Sequence, residues 1–369
     1  MNISELIARA DYYGRPLMSL LPPHVLTKLY STGRKYFLDA FFSANFNYIH
    51  IPDSLAVQCG SLTFRSPIFN AAGMFKNAEG YEQCYALGAG AYLAGTTTSL
   101  PREGNNKNGI NHPFCPYPHS GAASNWLGLP NQGHAAVAKK IAQLPRYTNF
   151  PIGISVSADP GMAPEQAVPL LIDGIHRYND AGVDFIELNE SCPNTETIVH
   201  HHKTLDPDLI HRLENIAKHC IALPHHTTPI FLKFSNDIDK EQLFALIHIM
   251  HELGFAGINI GNTSIKYQQL ENHIHKKDIK NFRYFYQTFG GGTSGTMLNV
   301  PSLDLCSHAL EVLPDNAQMT IIRTGGIFSA KDIIASKQKG IPLQQWYTGF
   351  FDEFAHKGNN VYSSLYSQL

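Results

Sequence analysis

From about residue 60 onward, short apolar runs rich in β-branched residues alternate with amphipathic stretches, and this alternation limits the fold more than any other feature. The runs fall at 67–71, 91–94, 151–156, 184–188, 229–234, 257–260, 319–323 and 344–347. Helix-like segments lie between them, for example at 166–181, 206–222 and 240–253. Brief buried strands separated by helices read as parallel βαβ units. About eight of them favour a closed α/β architecture, a (β/α)8 TIM barrel, over an open doubly wound sheet. At 369 residues and 43% hydrophobic content the chain can fill such a barrel as one domain.

Residues 1–50 read differently. Leu17, Leu20, Leu21, Val25, Leu26, Leu29 and Tyr30, then Tyr36, Phe37, Phe41 and Phe42, recur at loosely helical spacing. Pro22-Pro23 between them suits a turn and a helix start. The expected organisation is an N-terminal helical extension, a hairpin over 1–50, ahead of a barrel over 51–369. The hairpin's apolar stripe either packs on the barrel or forms an interfacial surface that meets lipid or a lipophilic substrate.

Charge and cysteine usage narrow the partners. With 28 basic and 30 acidic residues and no long basic run, nucleic acid is not expected as a partner. No stretch reaches the roughly 18 apolar residues that span a bilayer, and Met1 to Glu5 lacks the pattern of a secretory signal. Cys59, Cys84, Cys115, Cys192, Cys220 and Cys306 are scattered without a Cys-x-x-Cys pair. They read as free thiols in a reducing compartment, with no metal site. His200-His201-His202 reads as a solvated loop.

The polar residues gather just after the apolar runs, where the C-terminal ends of barrel strands build active sites. Ala72, Gly73, Lys76 and Asn77 follow the first run; Gly95, Thr96, Thr97 and Thr98 follow the second. Asn189-Glu190-Ser191-Cys192-Pro193-Asn194-Thr195 follows the fourth, and Gly261-Asn262-Thr263-Ser264 the sixth. Gly325-Gly326 follows the seventh and Thr348-Gly349 the eighth; these suit a phosphate held by backbone N–H groups, with Ser294 and Gly295 as further lining. Lys233 interrupts the apolar fifth run, and a parallel barrel strand offers lysine no solvent face. A cation there would stabilise developing negative charge. Cys192 sits among polar neighbours, which suits a reactive thiol better than a core residue.

Together these motifs resemble the dihydroorotate dehydrogenases, over about residues 55–350. The resemblance implies FMN at the barrel mouth, with dihydroorotate against its face. A cysteine or serine then removes the C5 proton while the C6 hydride goes to the flavin, giving orotate for pyrimidine biosynthesis. The family's Asn-x-Ser-Cys-Pro-Asn segment matches Asn189 to Asn194, implying Cys192 as the base and Asn189 and Asn194 as pyrimidine ligands. Ala-Gly-x-x-Lys matches Ala72 to Lys76, with Lys76 near substrate and flavin. Asn125 to Asn131 resembles the family's Asn-x-x-Gly-Leu-Pro-Asn loop, implying Asn125, Gly128 and Leu129 at the substrate; Asn262 and Thr263 match a second asparagine site. Ala72, Gly73, Thr96, Ser155, Asn189, Lys233, Gly261, Ser294, Gly295, Gly325, Gly326, Tyr347 and Thr348 match the FMN cradle.

Two features point to different electron acceptors. The cysteine and the Gly-Leu-Pro-Asn loop resemble the soluble class, which uses fumarate or NAD. The hairpin resembles the membrane-associated class, which uses quinone, and quinone is the acceptor expected here. The same likeness implies a cytoplasmic protein with peripheral contact to the inner membrane, and it is compatible with a homodimer. Glu190 stands where the family motif is usually apolar. The tRNA dihydrouridine synthases share an Asn-x-x-Cys-Pro context but need a basic RNA-binding surface, and a non-catalytic flavin-binding barrel would not need four asparagines.

Overall fold

The computed structural model describes residues 1–190, 205–224 and 228–369. Its centre is an eight-stranded parallel sheet: β1 (Ile68–Asn70), β2 (Tyr92–Thr97), β3 (Ile152–Val156), β4 (Phe185–Asn189), β5 (Ile230–Phe234), β6 (Gly257–Ile260), β7 (Thr320–Thr324) and β8 (Leu343–Trp346). The strands follow chain order around the ring, with β8 returning to pair with β1. Each expected apolar run is one of these strands, because a strand covered on both faces must be apolar almost throughout.

The barrel closes between β1 and β2, and a side chain does much of the joining. Asn70, fully buried at the end of β1, donates its amide N–H to the Leu93 carbonyl at 2.7 Å and accepts from the Leu93 N–H at 3.1 Å. Its side chain thus stands in for a ladder step that the short strand cannot supply. Above it, Gly73 N–H donates to the Gly95 carbonyl at 2.7 Å and Gly95 N–H to the Phe75 carbonyl at 2.9 Å.

The N-terminal end of the barrel is plugged by aromatic rings. An antiparallel pair, Val57–Cys59 with Leu62–Phe64, crosses below it, and Phe64 stacks on Phe69 with centroids 5.7 Å apart. Phe185 meets both Phe69 and Phe231 edge-on.

Four helices matter to the site: α1 (Ile3–Met18), α2 (Pro23–Phe42), α3 (Pro207–Ile216) and α4 (Thr348–Lys357). α1 and α2 form the hairpin, with Pro23 in the first turn of α2. The hairpin seats against α4: Phe37 meets Phe351 at 5.7 Å, Phe41 meets Phe354 at 5.5 Å, and Tyr12 lies against His356. Its apolar stripe is divided. Leu26 and Phe41 are buried, whereas Leu17, Leu20, Leu21 and Val25 around the turn are exposed.

A three-stranded antiparallel sheet stands beside the barrel mouth, with Ala122–Asn125 between Phe114–Tyr117 and Gly292–Gly295. It was not foreseen, since Phe-Cys-Pro-Tyr and Ala-Ala-Ser-Asn show neither alternation nor β-branched residues. Removing the Asn70 amide should open the β1–β2 seam. Asn70→Ala is expected to lower unfolding free energy by about 2–3 kcal/mol, since it leaves two backbone groups of Leu93 unpaired in the interior. Denaturant titration of the folded protein checks this.

Candidate active site

A cleft of about 1060 Å³ opens at the C-terminal ends of the strands. Its lining draws on most of the ring: Ala72, Gly73 and Lys76 after β1, Thr96 in β2, Asn189 closing β4, and Lys233 in β5. Asn262 and Thr263 follow β6, Gly325 and Gly326 follow β7, and Tyr347 and Thr348 follow β8. The antiparallel sheet contributes Asn125, Ser294 and Gly295, and Leu129 comes from the loop beyond Asn125. Parallel strands end at one level, so residues far apart in sequence meet at one rim.

Beneath the rim lies a buried polar layer. Lys233 in β5 reaches the Glu187 carboxylate in β4 at 3.3 Å, with the two side chains 3% and 1% exposed. Lys233 also donates to Gln345 Oε1 at 3.1 Å. The other carboxylate oxygen, Oε2, accepts from Gln345 Nε2 and Asn259 Nδ2, both at 2.7 Å. Thr324 then donates to Asn259 Oδ1 at 2.8 Å. The β4–β5 register sets Asn189 opposite Lys233. Asn189 donates to Thr96 Oγ1 at 3.0 Å, and Thr96 is hydrogen-bonded to Ser155 at 2.9 Å.

At the β7–β8 side the backbone comes close to itself. A Cβ on Gly326 would lie 2.1 Å from the Asn299 nitrogen, and one on Gly349 would lie 2.1 Å from the Ile327 carbonyl. Gly325 adopts φ 123°. No larger residue fits there. α4 begins at Thr348 with no side-chain cap, so its first N–H groups are open to an anion. Ser294 and Thr348 share a hydrogen bond of 2.8 Å beside this point.

A second cavity of about 1910 Å³ lies between the hairpin and the barrel. Ile7, Met18, Leu29, Phe37, Leu38 and Phe351 make it chiefly apolar. Phe114, Phe328, Tyr347 and Thr348 line both cavities and so form their common wall. Arg34 of α2 donates to the Tyr347 hydroxyl at 3.0 Å in that wall. Further out, Asp11 pairs with Arg15 at 2.6 Å and accepts from Tyr30 at 2.7 Å.

Comparison with known proteins decides the family. Residues 54–368 match the family model described as dihydroorotate dehydrogenase. The chain belongs to the dihydroorotate dehydrogenase family. A relative from Dichelobacter nodosus, named dihydroorotate dehydrogenase (quinone), is 30% identical over 290 residues, covering 78% of this chain and 80% of its own. One of the same name from Parvibaculum lavamentivorans is 28% identical over 337 residues, covering 90% and 87%. The ligand-free DHODH of Eimeria tenella superposes with a TM-score of 0.74 at 21% identity, covering 91% of this chain and 92% of the other, so the fold is shared.

For this dihydroorotate dehydrogenase family member, most expected site residues meet in one cleft, with three exceptions. Ser155 is fully buried behind Thr96. Gly261 is buried where a Cβ would strike the Thr324 carbonyl, so it serves strand packing. Gly128, at φ 73°, abuts Asn105 rather than the cleft. Cys192 and Asn194 lie outside the described residues, as does the histidine run at 200–202. The other five cysteines are buried; burial pushes the Cys59 thiol up to about 11 and those of Cys115, Cys220 and Cys306 to about 12, which disqualifies them as bases near neutral pH. Reading the sequence missed Glu187, Asn259, Thr324 and Gln345. The signal was available: each is a polar residue inside an apolar strand, as Lys233 is.

Glu190 finds its reason here. Arg212 of α3 donates to both carboxylate oxygens through Nε and Nη2, at 2.8 and 2.7 Å, and the pair is largely buried. An apolar residue at position 190 would leave Arg212 without this partner. Arg212→Leu is therefore expected to cost about 3 kcal/mol in unfolding free energy, because it strands a buried carboxylate. Adding Glu190→Leu should recover most of that loss, which a double-mutant cycle in denaturant would measure.

Proposed function

We propose that this protein oxidises dihydroorotate to orotate with FMN as cofactor and quinone as the electron acceptor. The shared wall between the polar cleft and the apolar hairpin cavity carries the reading. It sets a site for a charged pyrimidine beside a site for a lipophilic acceptor. The quinone named for the curated relatives supports the same acceptor.

The cleft residues suit FMN. The uncapped start of α4 and the glycines after β7 offer backbone N–H groups to its phosphate, and Lys233 and Asn189 suit the polar edge of its ring. Bound there, FMN supplies a two-electron relay between the cavities. Asn125, Asn189, Asn194 and Asn262 are proposed to hold the pyrimidine edge, with Thr263 and Leu129 beside them. Lys76 is assigned to the substrate carboxylate. Cys192 takes the C5 proton as the C6 hydride departs, so the substrate loses two electrons and two protons in all.

In the second cavity the Arg34 guanidinium and the Tyr347 hydroxyl meet at the common wall, suited to a quinone carbonyl, while Leu29, Phe37 and Phe351 suit its tail. The exposed apolar turn of the hairpin, Leu17, Leu20, Leu21 and Val25, is proposed to meet the membrane that holds the quinone. No helix is long and apolar enough to cross a membrane among the described residues.

The deciding experiment mixes FMN-loaded protein with dihydroorotate anaerobically, then offers a short-chain quinone, fumarate or NAD. Flavin bleaching followed by reoxidation with quinone is expected; no bleaching would sink the assignment, and reoxidation by fumarate or NAD alone would place the protein with the soluble class. Cys192→Ala should slow flavin reduction by about 10²–10⁴-fold at neutral pH with FMN still bound, as stopped-flow absorbance would show. Gly33 in α2 faces the second cavity, and a Cβ there meets nothing within 4 Å. Gly33→Leu should therefore fill the cavity without harming the helix. A KM for quinone raised about tenfold, equivalent to about 1.4 kcal/mol, is expected with flavin reduction unchanged.

A further inference from the structure

Barrel interiors are ordinarily filled by branched apolar side chains. Glu187 breaks that rule at 1% exposure, and burying a carboxylate costs several kcal/mol before any pairing is counted. Packing alone does not call for a charge at this position. Two of the three side-chain partners of Glu187 bear directly on Lys233. Its Oε1 lies 3.3 Å from the Lys233 ammonium. Its Oε2 binds the amide nitrogen of Gln345, which leaves Gln345 Oε1 turned to Lys233 at 3.1 Å. Asn259 steadies the same oxygen at 2.7 Å and is itself held by Thr324. A carboxylate only accepts hydrogen bonds, so this pattern fixes the orientation of both amides.

We propose that Glu187 tunes the charge that Lys233 presents to the flavin, and so lowers the flavin's reduction potential. The inference rests on the assignment of FMN to the cleft that Lys233 lines. Two-electron reduction adds negative charge to the flavin ring, and a nearby cation favours the reduced form. A buried countercharge 3.3 Å from that cation takes back part of the effect, strongly so where water is scarce. Glu187 is a positioning residue: it acts through Lys233 and through the orientation of Gln345.

The test measures the flavin midpoint potential of the FMN-loaded protein by dithionite titration against a reference dye, which involves neither dihydroorotate nor quinone. Glu187→Gln removes the charge at nearly constant shape. It is expected to raise the potential by about 30 mV, a tenfold shift in the two-electron equilibrium. The double variant Glu187→Gln with Gln345→Glu moves the carboxylate to β8, still beside Lys233, and should bring the potential back toward that of the unmodified protein. An unchanged potential in FMN-loaded Glu187→Gln, or no return in the double variant, overturns the proposal. If Glu187→Gln alone fails to hold FMN, the double variant decides: a potential matching the unmodified protein supports tuning, and loss of FMN there too overturns it. A wrong substrate or acceptor leaves this readout intact, whereas failure of the unmodified protein to bind FMN would bring down the functional reading with it.

Discussion

A closed parallel barrel screens its interior from water everywhere below its mouth, and the rest of this structure follows from that constraint. Side chains pointing inward must be apolar or fully paired. Below, the chain meets the requirement with stacked phenylalanines, Phe64, Phe69, Phe185 and Phe231. Above, it meets it with one connected polar layer through Glu187, Lys233, Asn259, Thr324 and Gln345. The boundary between the two layers fixes the height at which a polar ligand can sit. The floor of the cleft is the top of that network.

Much of this was legible in the residues themselves. All eight strands were visible as short apolar runs, since a strand buried on both faces has little freedom in composition. Lys233 was conspicuous for the same reason, and Cys192 stood out by its polar neighbours. Glu187 and Gln345 carried an equal signal, but their meaning is spatial: Glu187 matters because β5 and β8 bring Lys233 and Gln345 to it. The antiparallel sheet beside the rim had no readable pattern, being made of four-residue strands, one interrupted by a proline and two built from small and polar residues. Gly261 and Ser155 show the converse limit. Gly261 adjoins Asn262 in sequence and Ser155 meets Thr96 in space, yet packing uses both from behind.

The hairpin is stable for a different reason from the barrel. Its far end is anchored by the aromatic contacts of Phe37 and Phe41 with α4, and the Asp11–Arg15–Tyr30 cluster braces α1 against α2. Between these supports the hairpin and the barrel leave the second cavity between them. Apolar stripes on helices ordinarily close on each other. Here Leu29, Phe37 and Leu38 line the second cavity, where Gly33 adds no side chain, so a stripe that the sequence allowed as a packing or an interfacial surface is partly the wall of a chamber.

The wall formed by Phe114, Phe328, Tyr347 and Thr348 separates a polar cleft from an apolar chamber. On the proposed assignment, a charged pyrimidine approaches from water through the barrel mouth, and an oily acceptor approaches through the hairpin from the other side. Neither has to leave for the other to arrive. A compound that fills the greasy chamber would therefore not be displaced by raising the concentration of the pyrimidine, and the two ends of one redox reaction become separately addressable on a single chain.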